Sequence, residues 1–240
     1  MKKKINRTIA YLIILCMMIC VPAVAYGADA ALDVTYEGQI KCGEEVTFTA
    51  NVTGGTGTYR YLFNSVMLNY DGKWEDQIDP THFSYTYDNT FKFTFMASGT
   101  YRIKCWALSS DYKDYISKEI VITIEDENYP SVEKIADSVT KQCIDAGCND
   151  DYSRALWLHD WLLENCTYDS VNLQPGYYCG IEGALARGKC ICEGYRAAYE
   201  YLLKKVGIES KRMTGNGHTW NAVKMDGEWY QTDVTWDDNG

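Results

Sequence analysis

Between Gly188 and Asp238 the hydrophobic period of the chain switches from helical to alternating, and that stretch constrains the rest. It opens G-K-C-I-C-E-G-Y-R-A-A-Y-E-Y-L-L-K-K-V-G-I. From Glu193 the apolar positions Tyr195, Ala198, Tyr199, Leu202, Leu203 and Val206 recur at helical spacing, and Gly207 sits where a helix C-terminal glycine belongs. Cys192 therefore lies at or just before a helix N-terminus. Unpaired amides and the positive end of the macrodipole there favour a thiolate, and the same amides suit an oxyanion.

Two strands follow, His218 to Met225 and Glu228 to Trp236, joined by Asp226-Gly227, a strong hairpin signal. A two-residue turn sets Met225 against Glu228, Trp220 against Asp233 and His218 against Thr235. His218 and Asp233 then share a face as diagonal neighbours, roughly 7–8 Å apart at the backbone. A slip of one residue would put them on opposite faces. Singly, a cysteine at a helix start is a small buried hydrophobe and a strand histidine is merely hydrogen-bonded. Together, in the order Cys192, His218, Asp233, they read as nucleophile, base and the base's orienting partner.

The segments C-E-G-Y, G-H-T-W-N and W-Y-Q-T-D-V-T-W-D-D resemble the core of the transglutaminase-like superfamily, which has a papain-like fold. Gly183-Ala184-Leu185-Ala186-Arg187-Gly188 matches the lead-in of its secreted bacterial members, and L-H-D-W-L-L-E-N-C-T-Y-D resembles the helix before the nucleophile. The resemblance covers about Ser131 to the end. It implies a cysteine enzyme acting on amide bonds through a thioester, with Cys192 as nucleophile, His218 as general base and Asp233 orienting it. It also implies a side chain upstream of the nucleophile completing the oxyanion hole. No glutamine or tryptophan stands there, and Tyr178, Glu193 and Trp220 are the candidate oxyanion and substrate-binding residues. Family members continue with further strands past Asp233, so the domain at 131–240 reads as C-terminally shortened.

Met1 to Gly27 reads as a signal peptide: Lys2, Lys3, Lys4 and Arg7 precede an apolar run from Ile9 to Val24, then small residues. Pro22 and those residues favour cleavage over a membrane anchor. The expected product is secreted or wall-associated, with no stable membrane insertion. Cleavage removes four basic residues and no acidic one, leaving the formal charge of −10 more negative still. An acidic exported chain without a basic patch excludes nucleic acid as a partner. Its expected partner is a protein or peptide substrate, for which the cell envelope is one source.

Ala31 to Glu125 reads as an all-β domain, with strands at Glu45–Val52, Tyr59–Phe63, Phe91–Phe95, Tyr101–Leu108 and Ile116–Ile124 and turns at Gly54–Gly57 and Asp71-Gly72. The patterns G-G-T-G-T-Y-R-Y and S-G-T-Y-R-I-K-C-W-A resemble bacterial immunoglobulin-like modules, including the PKD type, and Tyr101 fits the tyrosine opening the penultimate strand of such sandwiches. Tyr59, Tyr61, Phe63, Tyr85, Tyr87, Phe91, Phe93 and Phe95 are read as filling the sandwich core and its faces rather than as a ligand platform. The fold class is thus multidomain: an immunoglobulin-like β-sandwich followed by an α+β transglutaminase-like domain.

Glu125 to Pro130 reads as the linker. Ser131 caps a helix through Ala146, a second helix runs from about Tyr152 to Asn165, and Val171 to Gly188 reads as a loop carrying Tyr177, Tyr178 and Glu182. His159 is read as structural, since His218 already supplies the base.

Eight cysteines lie beyond the leader: 42, 105, 143, 148, 166, 179, 190 and 192. Export permits disulfides. Cys42 with Cys105, and Cys143 with Cys148, are candidate bridges, while a bond from Cys190 to Cys192 would mask the nucleophile. No paired C-x-x-C sets appear and the three histidines are well separated, so neither a metal nor a cofactor is expected. Water as acceptor would make the enzyme a peptidase or amidase, and lysine would make it a cross-linking acyltransferase. The non-enzymatic alternative is a catalytically silent cell-wall binding or scaffold protein that retains the fold.

Overall fold

The computed structural model describes residues 29–67, 84–169 and 180–238. The leader, the Asp71-Gly72 turn, Tyr177, Tyr178 and Cys179 lie outside them. No helix of the described residues is long and apolar enough to cross a membrane.

The N-terminal region is two three-stranded antiparallel sheets. One has the order β1 (Ala31–Glu37), β2 (Glu45–Thr53), β4 (Thr90–Thr94), and the other β3 (Tyr59–Met67), β5 (Gly99–Ser109), β6 (Tyr115–Ile124). Alternation explains the core between them: Val46, Phe48 and Ala50 of β2 and Phe91 and Phe93 of β4 meet Phe63, Tyr101, Ile103 and Ile122. The Tyr101 hydroxyl, buried within this core, donates to the Ala97 carbonyl at 2.9 Å. Phe63, Phe91, Phe93 and Phe95 are core residues as the pattern predicts, whereas Tyr87 is exposed. Strand β1 has no forecast counterpart because it is an edge strand with one buried side chain, Val34, and so shows no clean alternation.

A second core starts past the linker. Helix α1 (Val132–Asp145) is capped by Ser131, whose hydroxyl accepts from the Lys134 amide, and α2 (Asp151–Asn165) by a reciprocal Asp150–Ser153 capping box. Both pack on α3 (Cys192–Lys205), whose Tyr195, Ala198, Tyr199, Leu202 and Leu203 are almost fully buried. A short parallel pair, β7 (Thr167–Tyr168) and β8 (Lys189–Cys190), brings the chain to α3. After α3 comes an antiparallel sheet ordered β11 (Glu228–Thr232), β10 (His218–Met225), β9 (Ser210–Gly215), then the short helix α4 (Val234–Asp237).

Three readings need correction here. The strand drawn from Glu228 to Trp236 stops at Thr232. Met225 does face Glu228, but the ladder ends at Asn221 with Thr232, and Asp233 caps α4 instead of pairing with Trp220. His218 pairs with Gly215 of β9, not with Thr235. Strand β9 went unforeseen because S-K-R-M-T-G has no apolar face, yet Asn216 and Gly217, with φ of 52° and 73°, form the tight turn that pairs it.

The segment before the nucleophile, drawn as loop, is partly a π-helical turn at Gly183–Arg187, a form that recurs near functional sites. It carries a buried ion pair, Arg187 Nε to Glu182 Oε2 at 2.7 Å, that grips the end of β4. Glu182 Oε1 accepts from the Met96 amide at 3.2 Å, Arg187 Nη2 donates to the Thr94 carbonyl, and the guanidinium lies 4.7 Å from the Phe93 ring centre. Burial pushes the Glu182 carboxyl above its ordinary value despite Arg187.

The suggested Cys42–Cys105 bridge does not form. Cys105 faces Phe63 midway along β5, while Cys42 precedes the glycine whose amide bonds the Phe95 carbonyl, so the two thiols are buried separately. Cys143 and Cys148 are thiols in hydrogen-bond contact with each other, and Cys166 and Cys190 are a second such pair of thiols.

Candidate active site

Cys192 is the first residue of α3, and its N-cap, Ile191, offers no side-chain cap. The Gly194 amide bonds the Ile191 carbonyl at 2.9 Å, and no side chain caps the amides ahead of it. Backbone amides of Thr219 and Glu193 hydrogen-bond the Cys192 sulfur, which sets the thiol beside the start of β10. Its acidity departs from the expectation. Burial raises the thiol pKa above its ordinary value, the two amides oppose the rise, and the Glu193 and Asp233 charges add to it. The helix terminus alone does not make a thiolate here.

His218 opens β10, one residue before the amide that holds Cys192. Its Nε2 lies 2.7 Å from Asp233 Oδ2, and both side chains are largely enclosed. Since a carboxylate only accepts, Nε2 carries the proton and Nδ1 keeps its lone pair. The ring is held between two indoles: Trp220 at 5.6 Å with planes 17° apart, and Trp236 at 5.4 Å with planes 13° apart. Trp220 in turn donates from Nε1 to Gln231 Oε1 at 2.8 Å. The other Asp233 oxygen, Oδ1, accepts the Trp236 amide at 3.3 Å as the cap of α4.

A cleft of about 340 Å³ opens beside this histidine, lined by Gly215, Asn216, His218, Trp220, Gln231, Asp233 and Trp236. Its volume suits an extended side chain rather than a large cofactor. No cluster of three or more potential metal ligands occurs among the described residues.

Glu193, a candidate for substrate contact, has its carboxylate engaged elsewhere. Oε1 meets Arg196 at 2.5 Å and Oε2 meets Arg212 at 2.9 Å, so its share in the site is its backbone amide. Tyr178 lies outside the described residues. His159 is buried, with Nδ1 3.0 Å from Asp160 and Nε2 3.2 Å from Asp237, pinning α2 to α4, and it is not among the residues that line the cleft. Trp236 is 75% exposed and stacks on the His218 ring. Gln231 and Asn216 drew no notice in the sequence. The Asn216-Gly217 dipeptide was the available signal for the turn that forms one wall.

A family model described as the transglutaminase-like superfamily matches residues 134–234, a span that holds Cys192, His218 and Asp233. This region is a transglutaminase-like domain. The chain is 25% identical over 101 residues to a human protein described as kyphoscoliosis peptidase, a match covering 35% of this chain and 15% of that protein. The chain thus spans a small part of that relative's length. Among solved structures it is similar to a transglutaminase crystal structure, with a TM-score of 0.40 and 13% identity over 43% of this chain and 31% of the other. The chain is also similar to a crystal structure of the PKD1 domain of the Vibrio cholerae metalloprotease PrtV, with a TM-score of 0.26 and 13% identity over 40% of this chain and 95% of that one.

Proposed function

We propose that the transglutaminase-like domain is a cysteine acyltransferase that cleaves or exchanges amide bonds through a thioester. The observation that carries the reading is the 2.7 Å contact of His218 Nε2 with Asp233 Oδ2, which leaves Nδ1 as a base on the strand that also holds Cys192. Because burial raises the Cys192 thiol, the resting nucleophile is S–H and His218 takes its proton as the sulfur attacks. The sulfur bonds to the amide carbon, and amides at the start of α3 receive the oxyanion. The imidazolium then returns its proton to the departing amine, leaving a thioester on Cys192. Water resolves it to an acid, or a primary amine resolves it to a new amide.

The chain is further proposed to be exported by its N-terminal segment and to act on protein or peptide substrates of the cell envelope, hydrolysis being favoured over cross-linking by analogy with envelope enzymes. The β-rich region is proposed to be an immunoglobulin-like module, which the Tyr101 bond to Ala97 supports, being the hydroxyl-to-upstream-carbonyl contact of a tyrosine corner. A second reading, a silent scaffold, draws on the raised Cys192 thiol.

The pH dependence of Cys192 alkylation by iodoacetamide, in wild type and His218→Ala, separates the two. The enzymatic reading expects labelling well below the thiol range in wild type and slow labelling in the variant. Equal, slow labelling in both hands the domain to the scaffold reading. Fluorescent amine incorporation against peptide hydrolysis then fixes the acceptor.

A further inference from the structure

Cys166 and Cys190 form a buried sulfur pair that takes no part in the proposed chemistry. Cys166 ends α2 and Cys190 ends β8, two residues before the nucleophile. Parallel pairing of β7 with β8 sets their sulfurs 3.3 Å apart, with 1% and 0% exposure. The Asp169 amide bonds the Cys190 carbonyl at 3.0 Å, so the two backbones are already in register. Cys192, by contrast, turns its sulfur to the Thr219 amide on β10.

We propose that Cys166 and Cys190 are a disulfide-forming pair that staples the end of α2 to the strand leading into Cys192, and so keeps Cys190 from masking the nucleophile. The hydrogen bond from Cys190 holds the Cys166 thiol below its ordinary pKa in spite of burial. With a small-molecule disulfide such as oxidised glutathione as oxidant, the Cys166 sulfur bonds to one glutathione sulfur and expels the other as thiolate. The Cys190 sulfur then bonds to Cys166 and expels the second. Both protein thiols lose a proton and two electrons pass to glutathione, which leaves as two thiols. Because both sulfurs are buried, exchange requires β7 and β8 to part, so the bond closes as the domain folds and afterwards resists reduction.

The neighbours fit a fixed staple. The Tyr195 hydroxyl, beside Cys166, donates to Asp238 Oδ2 at 2.7 Å, and the same oxygen accepts the Tyr168 amide at 2.9 Å. One network thus joins α3, the residue after α4 and β7 around the pair.

The test uses the full chain refolded in oxidised or reduced glutathione, trapped with excess N-ethylmaleimide and digested with trypsin without reduction. Cys190 and Cys192 fall in one tryptic peptide, and its fragment ions assign each sulfur. The expected product links Cys166 to Cys190, with maleimide on Cys192. Reduction should lower the unfolding midpoint by several degrees, a shift absent from Cys166→Ser and from Cys190→Ser. Maleimide on both Cys166 and Cys190 after oxidative refolding, or a link through Cys192, overturns the proposal even if the variants fail to fold. The pairing stands apart from the acyl-transfer reading: a Cys166–Cys190 link with sluggish Cys192 labelling sustains the first and sinks the second.

Discussion

Asp233 divides its two oxygens between His218 and the backbone: Oδ2 lies 2.7 Å from the imidazole, and Oδ1 caps the helix that carries Trp236 over the same ring. One carboxylate therefore sets both the tautomer of the histidine and the wall that covers it. Asp233→Asn keeps an N-cap acceptor, since asparagine caps as well as aspartate, but can present an N–H to Nε2 and so select the other tautomer. Amide-cleaving kcat/KM should fall by on the order of 10³–10⁴-fold, the scale of losing the orienting carboxylate in a triad. Thermal unfolding should barely move. Asp233→Ala should lose the same activity and in addition about 1 kcal/mol of stability with the cap. Steady-state kinetics beside calorimetry on both variants checks the division.

Trp236 stacks on His218 while 75% exposed, so it contributes little to the core. Its ring face stabilises the imidazolium that forms when Cys192 gives up its proton, an interaction worth ~0.5–1 kcal/mol at an exposed site. Trp236→Ala should slow Cys192 alkylation at neutral pH about 2–5-fold, the same energy expressed as a rate. The unfolding midpoint should stay within a degree or so. A large loss of stability would make the tryptophan a packing residue instead.

Glu193 supplies an amide to the Cys192 sulfur and a negative charge that opposes its ionisation. Removing the charge while keeping the backbone favours the thiolate, and Arg196 and Arg212, deprived of their partner, push the same way. In Glu193→Gln the alkylation midpoint should therefore move to lower pH, and labelling below that midpoint should quicken about 2–5-fold. A midpoint that moves up would mean that the carboxylate positions the helix terminus rather than merely charging it.

Legibility followed where a side chain's period matched its burial. The apolar stripe of α3, the Asp226-Gly227 turn and the alternation of β2 and β4 were readable because each buries one regular face. Strands β1 and β9 were not, since edge strands bury almost nothing and leave no pattern to read. The nearness of His218 and Asp233 was expected for the wrong local reason: a strand diagonal was drawn where a helix cap makes the contact. Local spacing could not show this, because T-D-V-T-W-D-D serves equally as strand or capped turn. Nor could it show that burial of Cys192 outweighs the helix terminus, which depends on what β10 lays over the thiol.

Glu182 and Arg187 give a prediction about the scaffold that carries the nucleophile. Their side chains are 6% and 8% exposed, and both bond the backbone at the end of β4. Breaking such a pair from one side strands a buried charge, so Arg187→Ala should cost about 3–5 kcal/mol. Glu182→Gln should cost less, because the amide keeps one acceptor oxygen for either the Met96 amide or Arg187, although it loses the other. The pH dependence has a definite sign. Burial raises the folded-state value of Glu182 above its ordinary 4.5, so the folded chain binds this proton more tightly than the unfolded one. The stabilisation is complete below 4.5 and is lost as pH climbs through the raised folded value. Glutamine does not titrate, so the stability gap between wild type and Glu182→Gln should narrow as pH rises from about 4 towards neutrality. Urea unfolding of both proteins across that range measures the gap. A gap that widens instead would mean that Arg187 outweighs burial and holds the glutamate ionised.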